Sequence, residues 1–183
     1  ILLHRIAKAS GFAGQLIVNP PIRIKSGSFL NDPIYRKKNI LLASAKAATQ
    51  NGLVLILLDC EDDCPGEVGP KILQDAKSIR SDINMLVALA QKEYESWFLA
   101  AATSLRGLVG LPEDLEAPRN SEAIRGAKEW LRSRMSVTYD PIIHQAMFSR
   151  AMDLEQAKIN SSFKRLCEKI GRFLSAQANP GSP

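Results

Sequence analysis

Five carboxylates lie within nine residues, directly after the end of a run of six aliphatic residues. They are Asp59, Glu61, Asp62, Asp63 and Glu67, with no Lys or Arg among them. Carboxylates this close repel one another unless a cation, a shared proton or water lies between them. Hard divalent cations take oxygen ligands, and one or two carboxylates suffice because Mg²⁺ keeps several waters. We therefore predict a Mg²⁺ or Mn²⁺ site formed by Asp59, Glu61, Asp62 and Asp63.

The stretch before these acids predicts a buried strand. Six consecutive aliphatic residues, 53–58, follow Asn51-Gly52. Such a run is typical of a strand buried on both faces at the centre of a parallel sheet. Ligands bind at the carboxyl ends of central strands because the loops leave a crevice there. A metal at that place would activate water and neutralise phosphate charge, although a solvated acidic turn has the same sequence.

The surrounding pattern indicates an α/β fold, because helices and strands alternate. We expect helices over 1–10, from Asp32-Pro33, over 68–80 and from Glu93, and strands over 15–18, 53–58 and 83–90. This order favours right-handed βαβ units in a mainly parallel sheet. In the helix after Pro33, periodicity predicts an inner stripe of Ile34, Leu41, Leu42, Ala45 and Ala48.

Strand patterns disappear in the C-terminal part of the chain. We expect an α/β domain over 1–110, an acidic, proline-bounded linker over 111–119 and a helical extension over 120–176 packed on the same core. We expect Asn120 to cap a helix that ends at about Met135, Asp140-Pro141 to open another, and Ser161 or Ser162 to cap the last. The Pro- and Gly-containing end, 177–183, is predicted to be a disordered tail.

Charge is segregated along the chain, which has a net charge of +5. Residues 1–50 hold eight Lys or Arg against one acid, 51–118 hold five against twelve, and 119–183 hold eleven against six. Basic arms around an acidic centre suit a protein that binds a metal and a polyanion, although an ordinary surface can be as uneven. The cations that we predict to bind nucleic acid are Arg23, Lys25, Arg36, Lys37 and Lys38.

Composition excludes several other classes of protein. No apolar run reaches the roughly 20 residues that span a bilayer, and no signal peptide pattern is present, so we expect a cytoplasmic protein that does not enter a membrane. Three cysteines do not make a disulfide framework. The sequence lacks the glycine-rich loops of P-loop nucleotidases and Rossmann dehydrogenases. Cys60 and Cys64 lack the spacing and partners of a zinc site, and His4 and His144 fit helical core patterns.

Glu93 is a further candidate for the same chemistry. It begins a helix directly after a predicted strand, where we expect it to face the same crevice as Asp59. Glu93 and Glu95 would equally complement the positive end of the helix dipole. Phosphotransfer through Asp59 as nucleophile is a third alternative; Lys92 would bind the phosphoryl group, but no Thr or Ser at a strand end supports it.

Several longer motifs point to one family. They are 57–65, 93–100 followed by 104–107, 127–131, and the Ser162-Phe163-x-x-Leu166-Cys167 run. Together they resemble an uncharacterised prokaryotic family of Toprim-like proteins, over nearly the whole chain. The resemblance implies a mostly parallel Toprim-like sheet flanked by helices, with a helical C-terminal extension.

Toprim domains of topoisomerases, primases and old-family nucleases hold Mg²⁺ with a Glu after the first strand and an Asp-x-Asp pair after a later one. The resemblance implies that Asp59 pairs with Glu61, or with Asp62 or Asp63, and that the first Glu lies upstream of Ile1. It implies a Mg²⁺-dependent nuclease, for which we predict Asp59 and Glu61 as catalytic residues and add Glu93, from its own position in the sequence, as a further ligand or base. Some relatives lie beside ATPases in defence systems, so the alternative is a non-catalytic metal-binding or partner-docking subunit of an ATPase complex.

Overall fold

The computed structural model describes residues 1–48, 52–60 and 63–178, and it has a mixed α/β architecture. Two strands pair in parallel and helices flank them. The strands are β1 (Leu53–Asp59) and β2 (Asn84–Ala90). The α-helices are α1 (Leu2–Ala9), α2 (Ser26–Asn31), α3 (Pro33–Ala47), α4 (Pro65–Ile79), α5 (Ser96–Ala100), α6 (Ala127–Arg132), α7 (Pro141–Ala151), α8 (Leu154–Ala157) and α9 (Ser161–Ala178). None of the helices in the described chain has both the length and the apolar character needed to span a bilayer.

Contacts group the chain into two compact units. We call Ile17–Leu89 the sheet unit, and Ile1–Leu16 with the described chain from Ala90 the helical unit. The predicted linker over 111–119 stays a prediction. Trp97 and Phe163, on opposite sides of that stretch, are ring neighbours with centroids 5.2 Å apart. The segment after β2 therefore shares its core with the C-terminal helices.

The sheet unit has an aliphatic core between β1, β2 and helices α3 and α4. On β1, Val54, Ile56 and Leu58 are buried and the alternate residues are only half-buried. Burial on both faces was therefore predicted incorrectly for this strand. In the described chain β1 pairs with β2 alone, so neither is a central strand. The predicted helix–strand–helix–strand order across this unit is confirmed by α3, β1, α4 and β2.

Helix α3 begins where the sequence predicts, but it packs with a different face. Asp32 caps it, since Asp32 Oδ1 accepts hydrogen bonds from the backbone N–H groups of Ile34 and Tyr35. The buried residues are Ile40, Ser44 and Ala47. The predicted inner stripe of Ile34, Leu41, Leu42, Ala45 and Ala48 is instead exposed, so that prediction was wrong.

Arg36 gives the physical reason for this orientation. Its Nη1 donates to the carbonyl oxygens of Phe29 and Leu30 near the end of α2, both at 2.8 Å. Its Nη2 lies 2.9 Å from Oδ2 of Asp75 on α4. These partners draw the Arg36 side of α3 inward, and the small Ser44 and Ala47 on that side allow close packing.

The helical unit is organised around aromatic side chains. Trp97, Phe98, Phe148 and Phe163 are completely buried, and Phe98 meets Phe148 edge to face at 5.4 Å between centroids. On α9, the i, i+3, i+4 pattern predicts an inner stripe of Phe163, Leu166, Cys167, Ile170, Phe173 and Leu174. The prediction is confirmed for four of them, which are buried, whereas Cys167 and Phe173 are half-buried. The helix continues through Ala178, whereas 179–183 of the predicted tail lie outside the described residues.

Other element predictions in the helical unit were only partly correct. The described backbone has no strand over 15–18. The helix predicted from Glu93 is shortened to α5, with a 3₁₀ turn over Ala102–Leu105 after it. Asn120 caps the 3₁₀ turn Ser121–Ala123, and α6 is a separate helix.

Gly110 occupies a backbone position that tolerates little else. Its φ is +73°, in the left-handed region, and a Cβ there would overlap the Ser136 side chain. We expect Gly110→Ala to lower the free energy of unfolding by at least about 2 kcal/mol, through backbone strain and overpacking. Urea denaturation measures this. Gly27→Ala is the control, since no described atom lies within 4 Å of its added Cβ, and a comparable loss there would contradict the explanation.

Candidate functional site

The carboxyl end of β1 carries the acidic residues that the sequence singles out. Asp59 is the last residue of the strand and is half-buried. Beyond the strand, Asp63 N–H donates to the Cys60 carbonyl at 2.9 Å, and Cys60 Sγ donates to the Asp63 carbonyl at 3.3 Å. Asp63 is exposed, while Glu61 and Asp62 lie outside the described residues. Asp59 and Asp63 are thus held in one short segment.

The described part of this segment does not by itself make a complete metal site. Within residues 1–48, 52–60 and 63–178, no three His, Cys, Asp or Glu side chains come together as a metal-binding group. Asp59 and Asp63 offer two carboxylates. Two carboxylates suit Mg²⁺ only when waters and substrate phosphates complete its coordination.

The cysteines form no disulfide, and the histidines make structural contacts. All three cysteines are among the described residues, and burial raises the pKa of the Cys167 thiol to about 11. His4 Nε2 donates to the Leu16 carbonyl at 3.1 Å. Nδ1 of the buried His144 accepts the Asp140 N–H at 2.7 Å, and its ring stacks on Tyr139. Both histidines therefore hold backbone segments in place, in agreement with the structural interpretation.

Four of the five predicted phosphate-binding cations are exposed in the sheet unit. Arg23 and Lys25 alternate with Ile24, which packs against the core, so the two cations point away from it. Lys37 and Lys38 lie on the exposed side of α3. Asp59 and Asp63 belong to the same unit. Acidic residues and four exposed cations thus occur in one compact unit.

Arg36, the fifth predicted cation, differs from the other four. Its guanidinium group bonds the α2 carbonyls and Asp75, as described above, and its side chain is only 14% exposed. Its hydrogen-bonding capacity is used to fix α2, α3 and α4 in the sheet unit. We therefore restrict the phosphate-binding prediction to Arg23, Lys25, Lys37 and Lys38.

Glu93 belongs to the helical unit, whereas Asp59 belongs to the sheet unit. Glu93 Oε2 accepts the Lys128 backbone N–H at 3.1 Å and lies 3.6 Å from Lys128 Nζ. A Lys partner neutralises this carboxylate without a metal. The role of Glu93 as a metal ligand or base stays a prediction.

The buried carboxylate of Glu95 was missed by sequence reasoning. It is 0% exposed, and its Oε1 accepts hydrogen bonds from Tyr139 Oη at 2.8 Å and Gln145 Nε2 at 3.0 Å. Oε2 accepts no aligned hydrogen bond from a described residue, but Lys128 Nζ is 3.2 Å away and balances it by charge. Burial, and then the charge of Glu95, raise the pKa of the Tyr139 phenol far above its usual value. Tyr139 therefore remains a hydrogen-bond donor to Glu95.

A signal for this cluster exists in the sequence. Glu95 lies between Tyr94 and the fully apolar run that begins at Trp97, so a carboxylate at that position must be buried with partners or disrupt the helix start. Its partners, Lys128, Tyr139 and Gln145, are 33 or more positions away. Only the tertiary structure brings them together.

Comparison with protein-family models, with curated proteins and with solved structures finds no match for this chain. Its function is therefore argued from its own residues.

Proposed function

We propose that this protein is a Mg²⁺- or Mn²⁺-dependent hydrolase of nucleic-acid phosphodiesters, with β1 corresponding to the acidic strand of a Toprim-like sheet. The observation that carries the proposal is the position of Asp59 at the carboxyl end of a strand in a parallel pair, directly before an acidic turn. Ligands bind at this end of parallel strands.

The charges of the sheet unit support a polyanionic substrate. Arg23, Lys25, Lys37 and Lys38 are exposed, and cations of this kind bind phosphate oxygens while releasing counterions from the nucleic acid. Their contribution is independent of base sequence, so we expect little sequence preference from them. They would hold the backbone close to the acidic turn of the same unit.

The chain's own contribution to a metal would be its carboxylates. Asp59 and Asp63 would hold the ion together with Glu61 or Asp62, which lie outside the described residues. A bound divalent ion would supply an activated water and neutralise charge on phosphate. Asp59 carries the largest share of this role, because it is fixed by the strand, whereas Asp63 is exposed on the turn.

Asp59→Ala tests the proposal in the full chain. The substrates are plasmid DNA, single-stranded DNA and RNA, each incubated with Mg²⁺ or Mn²⁺ and separately with EDTA. We expect metal-dependent cleavage by the unmodified chain and a loss of at least about 100-fold in Asp59→Ala, the scale seen when a charge-stabilising group is removed from an active site.

Asp82→Ala is the matched control, because Asp82 is an exposed carboxylate of the same unit, bonded to Arg80 at 2.7 Å. It should retain the rate of the unmodified chain. Full metal-dependent activity in Asp59→Ala would refute the role of this residue. Absence of cleavage of every substrate would refute the hydrolase proposal itself.

A second candidate is a non-catalytic subunit that binds a cation or a partner ATPase. It is favoured by the Lys128 contacts of Glu93, which occupy the carboxylate that sequence reasoning offered as a base. This candidate predicts nucleic-acid or partner binding that EDTA leaves unchanged, whereas the hydrolase requires the metal for turnover.

A further inference from the structure

Helix α3 exposes an apolar stripe to solvent. Ile34 is 83% exposed, Leu41 39% and Leu42 48%. Ala45 and Ala48 are exposed as well. Burial of large aliphatic side chains contributes roughly 1.5–3 kcal/mol each, so a helix that has a core-facing side gains nothing by turning these residues outward. This stripe lies roughly 100° around the α3 circumference from the buried Ile40, Ser44 and Ala47.

Four of the five residues form a narrow strip, and Leu42 lies about 80° from Ile34, beyond Lys38. At about 100° per residue, Ile34, Leu41, Ala45 and Ala48 fall within roughly 60° of the helix circumference. We call these four residues the α3 seam. Lys37 lies along one side of the seam and Lys38 along the other. The two alanines lie at its C-terminal end, where another helix can approach closely.

Those dimensions favour a helical protein partner over a membrane. A strip of this width with charges on both sides resembles the seam of a coiled coil, in which flanking charges choose the partner. A helix that lies in a membrane interface presents a broader face of Trp, Phe or Leu. On α3, Lys38 lies between the seam and Leu42, so the apolar residues do not form one continuous broad face.

The charge of α3 restricts the partner further. Its charged residues are Arg36, Lys37, Lys38 and Lys46, and its sequence contains no Asp or Glu. A second copy docking the same seam would place lysines against lysines, which is unfavourable. A partner helix with Asp or Glu beside its apolar strip would form opposite-charge pairs along both sides.

We propose that the α3 seam binds an acidic amphipathic helix of another protein. Ile34 and Leu41 insert into the partner's apolar strip, and Lys37 and Lys38 pair with its flanking carboxylates. This surface shares Lys37 and Lys38 with the proposed phosphate-binding cations. Ile34 and Leu41 carry no charge for phosphate and are not among the acidic residues after β1, so variants of these two residues test the seam separately from the hydrolase proposal.

The probe is a synthetic peptide of about three heptads with Leu at the two seam positions and Glu at the flanking positions. The same peptide with Lys for Glu is the charge control. Binding to the full chain is measured by fluorescence anisotropy. We expect a Kd below about 100 µM for the Glu peptide and at least tenfold weaker binding of the Lys peptide.

The variants are Ile34→Ser with Leu41→Ser, and Ile142→Ser as matched control. Ile142 follows Asp140-Pro141 as Ile34 follows Asp32-Pro33, and it is 70% exposed on α7. The double variant should weaken binding at least about tenfold, the control should leave it unchanged, and circular dichroism should show both folded.

Three results would overturn the proposal. They are no binding of the Glu peptide up to about 1 mM, equal binding of the Lys peptide, and an equal loss in Ile142→Ser. Vesicles containing phosphatidylserine form a further arm. If they capture the chain through Ile34 and Leu41 while the Glu peptide does not bind, the surface is a membrane contact and the helical partner is refuted.

Discussion

Lys128→Met is expected to lower the free energy of unfolding by about 3–5 kcal/mol, because it leaves a buried carboxylate without its counter-charge. Glu95 is completely buried, and the Lys128 ammonium lies 3.2 Å from its Oε2. Met retains most of the length and apolar surface of the Lys side chain, so packing changes little. The loss would therefore report mainly on charge.

Lys158→Met is the matched control. The side chains of Lys128 and Lys158 are 31% and 33% exposed, and each pairs with a Glu. The partner of Lys158, Glu155, is 76% exposed, so solvent replaces the pair when the lysine is removed. Pairs at the surface contribute about 0–1 kcal/mol. The same Lys→Met substitution is thus expected to lower the free energy of unfolding much more at Lys128 than at Lys158. The difference comes from the burial of the partner carboxylate.

Urea denaturation at pH 7 measures both variants, and Glu95→Gln tests the cause. In the Glu95→Gln background the buried group is neutral, so we expect the cost of Lys128→Met to fall to about 1–2 kcal/mol. Two outcomes contradict the interpretation. One is an equal loss in the two lysine variants, and the other is an unchanged cost of Lys128→Met in the Glu95→Gln background.

The sequence was sufficient for elements with local signals. The six aliphatics of 53–58 predict β1, Asp32-Pro33 predicts the start of α3, and the periodicity of α9 predicts its buried face. The orientation of α3 was not predictable in this way. Its apolar residues are periodic on one side, yet Arg36 draws the other side inward through partners on α2 and α4 that only folding brings close.

The candidate site was predictable to a similar degree. Asp59 follows from a strand ending in acid, and its position at the end of β1 is confirmed. The environment of Glu93 and Glu95 was not predictable, because a pattern shows a charge at a helix start but not the Lys128 that neutralises it. A buried carboxylate requires a partner, and the identity of that partner requires the fold.

Removal of the Asn160 side chain is the second change that we expect to lower the free energy of unfolding strongly, because this side chain links several buried segments. Its Oδ1 accepts hydrogen bonds from Ser162 N–H at 3.1 Å and Phe163 N–H at 3.2 Å, so Asn160 is the cap of α9. The sequence prediction of Ser161 or Ser162 as the cap was wrong by one or two residues. Its Nδ2 donates to the hydroxyls of Ser96 and Ser121.

The hydrogen bonds continue from Asn160 to the aromatic core. Ser162 Oγ donates to Asn160 Oδ1 at 2.6 Å and accepts from Trp97 Nε1 at 2.8 Å. Asn160 is 1% exposed and Ser162 2%, so water has little access to groups that lose their partner. Removing one member of such a network costs the desolvation of those left unpaired, about 1–3 kcal/mol, in addition to the lost cap.

We therefore expect Asn160→Ala to lower the free energy of unfolding by about 2–4 kcal/mol in urea denaturation. Asn120→Ala is the control, since Asn120 also caps a helical turn, with Oδ1 accepting two backbone N–H groups at 3.2 Å, but is exposed. Its loss should be about 0.5–1 kcal/mol. If the two variants lost equal stability, capping alone would account for the contribution of Asn160 to the free energy of unfolding. The larger loss would instead assign the difference to the buried link between α9, Ser96 and Trp97.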